Sequence, residues 1–307
     1  MPELPEVEAL VRFLDDRATG RTVVAADVAQ IAALKTFDPP VTALVGRTVT
    51  GARRHGKWLD LVLGAPGQPA AGPAPADAEL HLVFHLARGG WLRWSEKSPT
   101  TPVRPRLGGG GGKVAALALR VRLDDGSGFD LTEAGTRKRL AVHVVRDPAE
   151  VPAVATLGVE PLDVTFTTDV LAGLMAARNQ QVKGLLRDQS SIAGIGNAYS
   201  DDILHAARTS PFKLTRSFTP DEVARVHAAV GEVLAGAVAA ASGRPAAELK
   251  DAKRSGMRVH GRTGQPCPVC GDVVREVSFA DRSLQYCATC QTGGQVLADR
   301  RLSRLLR

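Results

Sequence analysis

The sequence predicts a multi-domain α+β protein: an N-terminal helix with an antiparallel β-sandwich or barrel, an all-helical module, and a C-terminal four-cysteine hairpin. Three observations lead there. Short Val- and Leu-rich segments crowd residues 21–145 with no long helix between them. After Pro148 helix signals replace them, and all four cysteines fall between Cys267 and Cys290. At 307 residues and 44% apolar content, the chain can hold more than one domain and a real core. The expected divisions are residues 1–150, 151–243 and 244–307.

The chain opens Met1-Pro2-Glu3-Leu4-Pro5-Glu6-Val7-Glu8. Removal of Met1 would give Pro2 a free secondary amine, a nucleophile found nowhere else in the chain, with the Glu3 carboxyl one residue away. Amine attack on an aldehyde-like carbon with carboxyl-assisted proton transfer is Schiff-base chemistry. Val7, Leu10, Val11 and Leu14 share one face of a helix whose first turn tolerates Pro5, and Gly20 ends it. Strands are expected at 22–30, 47–51, 57–63, 79–86, 90–94, 114–123 and 140–145. Arg53-Arg54-His55-Gly56-Lys57-Trp58 forms a basic turn into one of them, with Gly56 allowing the bend. The Gly- and Pro-rich stretches 64–78 and 108–112 read as surface loops. The glycine run has no Lys-Ser or Lys-Thr after it, which excludes a phosphate-binding loop.

Helices are expected at 168–177, 183–189, 197–205 and 220–241. Asn197 is the expected cap of the third. Thr219, Pro220 and Glu222 make a capping box for the fourth. The turn holding Gly194 and Gly196 can aim backbone amides and the Asn197 side chain at a phosphate, with Lys183 and Arg187 nearby in sequence.

Cys267-Pro268-Val269-Cys270 and Cys287-Ala288-Thr289-Cys290 are two CxxC knuckles sixteen residues apart. Four thiolates so spaced complete a tetrahedral site for one structural zinc (Zn2+), with iron or two local disulfides as the alternatives. Four protein ligands leave no open position, so the metal would hold shape and not activate water. Arg282 lies where the intervening hairpin turns, and its planar fork suits a phosphate.

Lys and Arg exceed Asp and Glu by 39 to 32, and residues 244–307 hold twelve basic against six acidic. Most of the surplus therefore sits in the last fifth of the chain, as for a protein with a polyanion partner. Residues 300–307, with Arg300, Arg301, Arg304 and Arg307, are a short basic helix or a frayed tail. No run approaches a membrane span, and the opening is acidic where a signal peptide is basic and then apolar. The expected location is cytoplasmic.

These motifs together resemble the formamidopyrimidine-DNA glycosylase/endonuclease VIII family. The match runs from Met1–Glu8 through Arg53–Lys57, then Asp188-Gln189 to Gly194-Ile195-Gly196-Asn197-Ala198-Tyr199, to His260-Gly261-Arg262 and the cysteines. The resemblance implies a β-sandwich lobe, a helix-two-turn-helix module and a zinc finger. The implied partner is double-stranded DNA containing a damaged base or abasic site, bound by a monomer with no obligate protein partner.

The implied activity is base excision followed by strand cleavage, with Pro2, Glu3, Lys57 and Arg282 at the chemistry. Arg54, Lys57, Arg88, Lys183, Asn197, Arg262 and Arg282 are the implied DNA contacts. The base-recognition side departs from the family. His85-Leu86-Ala87-Arg88-Gly89-Gly90 puts Arg88 where a methionine fills the gap left by the flipped base. Asp130-Leu131-Thr132-Glu133-Ala134-Gly135 lacks the other wedge residues, for which Arg137, Lys138 or Arg139 can substitute. The segment 248–258 replaces a longer loop that covers an oxidised purine in some members. These departures favour oxidised pyrimidines, abasic sites or a less usual lesion over 8-oxoguanine. The alternatives are a non-catalytic binder of damaged or distorted DNA, and an RNA-associated zinc-ribbon protein that leaves Pro2-Glu3 unexplained.

Overall fold

A computed structural model of the chain describes residues 1–65, 79–106, 116–279 and 283–298. Most of the 64–78 stretch, the glycine run 108–112, Arg282 and the basic segment 300–307 lie outside the described residues. The chain forms two compact units: residues 1–156 with 242–249, and residues 157–241 with 250–307. The helical module and the cysteine hairpin, separate in the sequence reading, thus pack as one unit.

In the first unit α1 (Leu4–Ala18) is followed by β1 (Val23–Val28), β2 (Val49–His55), β3 (Trp58–Leu63), β4 (Leu80–His85), β5 (Gly90–Ser95), β6 (Ala116–Leu123), β7 (Gly128–Glu133), β8 (Ala141–Val145) and α2 (Pro152–Ala155). They make two antiparallel four-stranded sheets, ordered β1-β6-β7-β5 and β2-β3-β4-β8. Leu59, Leu61, Leu82 and Phe84 of one sheet and Leu119, Val121, Phe129 and Leu131 of the other are buried. The Phe84 and Phe129 rings stack across the sheets with centroids 6.2 Å apart, so the architecture is a sandwich. Alternation along the strands puts these residues on the inner faces.

The strand β7 has no counterpart among the expected ones, although Phe129 and Leu131 alternate with Asp130 and Thr132. It is paired on both sides, by β6 and β5, and this double pairing outweighs its polar half. Helix α1 packs against β2 and β3. Leu4, Leu10 and Leu14 are at most 1% exposed, and the Ala52 N–H donates to Asp15 Oδ1 at 2.9 Å.

The second unit holds α3 (Thr168–Ala177), α4 (Val182–Arg187), α5 (Asn197–Ala206), α6 (Pro220–Ala241), most of α7 (Leu249–Gly256), β9 (Val274–Ser278), β10 (Ser283–Cys287) and α8 (Ala288–Thr292). The capping box on α6 forms: the Thr219 N–H donates to Glu222 Oε2 at 2.8 Å and the Glu222 N–H to Thr219 Oγ1 at 3.4 Å. The expected cap on α5 does not form that way. Gly196, with extended backbone, is the N-cap and Asn197 the first helical residue, its amide donating to the Ser283 carbonyl.

Helix α6, at 22 residues, is long and apolar enough by composition to cross a membrane, against the expectation that no run approaches a span. Alanine and valine supply that hydropathy. Val223, Val226, Val230 and Leu234 form a buried stripe on the helix, which packs against α5 and α3, as in a helix of a globular unit. The segment 248–258 is largely the helix α7.

Candidate active site and nucleic-acid interface

Met1 is exposed and Pro2 buried at the start of α1. Glu3, 2% exposed, is the helix N-cap. Its N–H donates to Glu6 Oε2 at 2.8 Å and its carboxylate accepts from the Glu6 N–H, a reciprocal capping box. The opening dipeptide is therefore set on a helix end held by sheet packing.

In the same unit the β2–β3 turn carries Lys57. Gly56, at φ +55°, takes the left-handed conformation the turn requires. Lys57 is only 7% exposed. Its charge acts on His85 at the end of β4, whose ring lies 4.9 Å from the Trp58 ring. Burial first, and then Lys57, push the His85 pKa down to about 4, so the imidazole is neutral at neutral pH. His85 is a functional candidate absent from the expected set, and its only sequence signal was its place just before the Arg88 turn.

Arg54, expected on DNA, braces the turn. Its guanidinium donates to Glu8 Oε2 at 2.8 Å and to the Gly56 carbonyl at 3.2 Å. Burial opposes the Glu8 charge, but hydrogen bonds from Arg54 and Arg12 outweigh it and hold the carboxyl below its ordinary pKa. Below the turn, buried Asp60 accepts from His81 Nδ1 at 2.9 Å and His55 Nε2 at 3.1 Å. Burial again opposes ionisation, and the two imidazoles win.

Arg88 is exposed on a closed turn. Ala87 sits at φ +50° and the Gly90 N–H donates to the Leu86 carbonyl at 2.8 Å. A Cβ on Gly90 would lie 2.1 Å from Leu86 O, and one on Gly89 2.3 Å from Ala134 O. The second expected wedge segment is tied to it, since the Ala134 N–H donates to the Gly89 carbonyl at 2.9 Å. Buried Glu133 accepts from the Arg139 and Leu140 N–H groups at 2.7 and 3.1 Å. Arg137 and Arg139 are exposed, whereas the Lys138 ammonium donates to the Glu133 carbonyl at 2.6 Å.

In the second unit Lys183 is buried. Its ammonium donates to Asp201 Oδ1 at 2.5 Å, Ser200 Oγ at 2.7 Å and the Asn197 carbonyl at 3.1 Å. Asp201 also takes His260 Nδ1 at 2.7 Å, and Asp202 accepts the N–H groups of Arg258, Val259 and His260. This network ties α4 and α5 to the segment leading into the cysteines. Asn197 Nδ2 donates to the Ser283 carbonyl at 2.8 Å, and its Oδ1 is buried with no partner among the described residues. Arg262 is held locally, its Nε donating to Gln265 Oε1 at 3.0 Å. Arg282 lies outside the described residues, next to Ser283.

All four cysteines are free thiols, so the disulfide alternative falls. Their sulfurs lie within 4.8 Å of one another, with Cys270–Cys287 at 3.4 Å and Cys267–Cys290 at 3.8 Å. A tetrahedron with Zn–S of about 2.3 Å has sulfur–sulfur edges of about 3.8 Å, so the donor set fits one zinc. The N–H groups of Val269 and Cys290 face the Cys267 and Cys287 sulfurs at 3.5 Å, an arrangement that would support metal-bound thiolates.

The comparisons agree with this architecture. Residues 1–139 match the formamidopyrimidine-DNA glycosylase N-terminal domain, 157–246 its H2TH domain, and 264–293 a zinc finger found in FPG and IleRS. The formamidopyrimidine-DNA glycosylase of Symbiobacterium thermophilum is 32% identical, over 95% of this chain and 89% of that protein. An uncharacterized formamidopyrimidine-DNA glycosylase-like protein of Mycobacterium tuberculosis is 56% identical, over 52% of this chain and 99% of its own length. The crystal structure of MutM (FPG) from Thermus thermophilus is 29% identical, with a TM-score of 0.74, covering 96% of this chain and 100% of that one. The Lactococcus lactis enzyme, solved non-covalently bound to DNA containing an AP site, has the same fold: TM-score 0.74 at 23% identity, covering 94% of this chain and 99% of that one.

Proposed function

Because the chain belongs to the formamidopyrimidine-DNA glycosylase family, we propose that it excises a damaged base from double-stranded DNA through a Schiff base on Pro2 and then cleaves the strand by β- and δ-elimination. The family supplies the class, a DNA-repair glycosylase with lyase activity at abasic sites. One observation carries the finer reading: Pro2-Glu3 directly precedes a helix locked by its own capping box and by three fully buried leucines. A nucleophile on so firm a base gains from proximity.

With Met1 trimmed, the Pro2 amine is partly neutral at cellular pH, since an α-amino group in a simple peptide titrates near about 8. It attacks C1′ of the flipped deoxyribose, so that the Pro2 N–C1′ bond forms as the glycosidic bond breaks and the base leaves with the amine's proton. Glu3 passes a proton to the ring oxygen as the C1′–O4′ bond breaks, which leaves an iminium between Pro2 and C1′. The iminium acidifies the C2′ proton; its loss expels the 3′ phosphate, and a second elimination frees the 5′ phosphate. Flipping exposes a carbon that the stack hides.

Lys57, Asn197 and Arg282 hold phosphates around the flipped nucleotide, and neutral His85 adds a hydrogen-bonding group beside Lys57. Arg54, Lys183 and the Asn197 amide each also bond to protein, so they brace the β2–β3 turn, the α4–α5 network and β10 as well. Arg88, with Arg137 and Arg139, enters the space vacated by the base, its aliphatic stem stacking or its fork meeting the orphan base. The absent wedge residues and the short 248–258 segment favour oxidised pyrimidines, abasic sites or a less usual lesion over 8-oxoguanine.

Borohydride trapping on an abasic-site duplex tests the chemistry. The expected result is a covalent adduct on the N-terminal peptide, lost in Pro2→Gly, with phosphates on both ends of the product gap. Fully active protein that retains Met1 by mass spectrometry would overturn it. Tight binding without an adduct would favour a non-catalytic binder.

A further inference from the structure

One buried imidazole in the second unit is not used by the proposed chemistry. His205, near the end of α5, is 2% exposed, and its Nε2 lies 3.2 Å from Cys267 Sγ. Its Nδ1 is buried with no partner among the described residues. A metal-bound thiolate has no S–H to donate, so it can only accept. Of the two ring nitrogens, Nε2 is the one at hydrogen-bond distance from the sulfur, so the tautomer with its proton on Nε2 satisfies that acceptor. Cys267 is itself buried, at 3% exposure, so its negative charge has little water to stabilise it and needs donors from the protein.

We propose that His205 is an outer-shell donor of the metal centre, its Nε2–H bonding to the Cys267 thiolate so that α5 orients that ligand and slows loss of the metal. The same helix begins at Asn197, which donates to the Ser283 carbonyl of β10. One helix therefore meets the cysteine hairpin from both of its ends, at Ser283 of β10 and at a metal ligand. His205 is a positioning residue, set at hydrogen-bond distance from a ligand sulfur, and Cys267, Cys270, Cys287 and Cys290 remain the four ligands.

The test compares the full-length parent with His205→Phe, which keeps a flat ring and removes the donor, and His205→Gln, which keeps an N–H. Zinc transfer to a chromogenic chelator is timed in each, and the sulfur-to-metal charge-transfer bands of the cobalt(II)-substituted proteins are recorded. Outer-shell partners of metal ligands typically contribute about 10–100-fold in affinity. Zinc release from His205→Phe should accelerate within that range, with the charge-transfer energy shifted, and His205→Gln should lie between it and the parent. A residue that only fills space would leave the band energy of the folded protein unmoved. Parent-like release and parent-like bands in His205→Phe would overturn the proposal. If that variant does not fold, His205→Leu takes its place, and unchanged release and bands there would equally overturn it. A parent band intensity corresponding to three thiolates would also overturn it, by making His205 a ligand.

Discussion

At the scale of single residues, the buried charges decide behaviour that exposure alone would not. The His85 pKa is lowered from 6.5 to about 4, so between those values the unfolded chain binds a proton that the folded one refuses. Stability from this site is therefore full above 6.5 and is lost as the pH falls toward 4. In His85→Gln the drop in Tm between about pH 7 and about pH 5 should be smaller than in the parent, as differential scanning calorimetry will show. Asp60 acts in a lower window, because its folded pKa lies below the ordinary 3.8 and its contribution is lost as the pH falls through that lowered value. Removing its carboxylate strands two imidazoles against a buried sheet face. Asp60→Ala should cost about 3 kcal/mol in urea denaturation, and an unchanged midpoint would show that His55 and His81 find other partners.

Among elements, two turns show how geometry and chemistry separate. Gly90→Ala would drive a Cβ to 2.1 Å from Leu86 O, inside contact distance with backbone. We expect about 1–3 kcal/mol of destabilisation together with loss of excision, since the Arg88 turn must open. Arg88→Ala should leave stability within about 0.5 kcal/mol and change the ranking of lesions in a panel of single-lesion duplexes. Dominant excision of 8-oxoguanine opposite cytosine by the parent would show that Arg88 does not redirect specificity. The α6 capping box is a plainer case: Thr219→Ala should lower stability by about 1 kcal/mol. Its residues were legible in the sequence because a cap is local, its partners three positions apart. The Glu3–Glu6 box on α1 is equally local, whereas the Asn197 contact is not, because its partner Ser283 lies far along the chain.

For the whole molecule, the metal holds the second unit's hairpin and the first unit has its own core. Stripping zinc with a chelator should lower the melting of the second unit and weaken binding to an abasic-site duplex, while the sandwich keeps its transition. A single unchanged transition after verified metal loss would contradict that division. The sequence alone determined what depends on short spacing and on periodicity: the two CxxC knuckles, the amphipathic α1, most of the strands, the Thr219 cap and the family resemblance. Only the tertiary structure decided which charges are engaged within the protein. Arg54 and Lys183 look like phosphate contacts in the sequence, yet Glu8 and Asp201, brought to them by folding, engage both. His85 and His205 show the reverse, ordinary in the sequence and set by folding beside Lys57 and Cys267. The physical reason is that a side chain's donors and charge are assigned by whatever packs against them, and those partners lie far away along the chain.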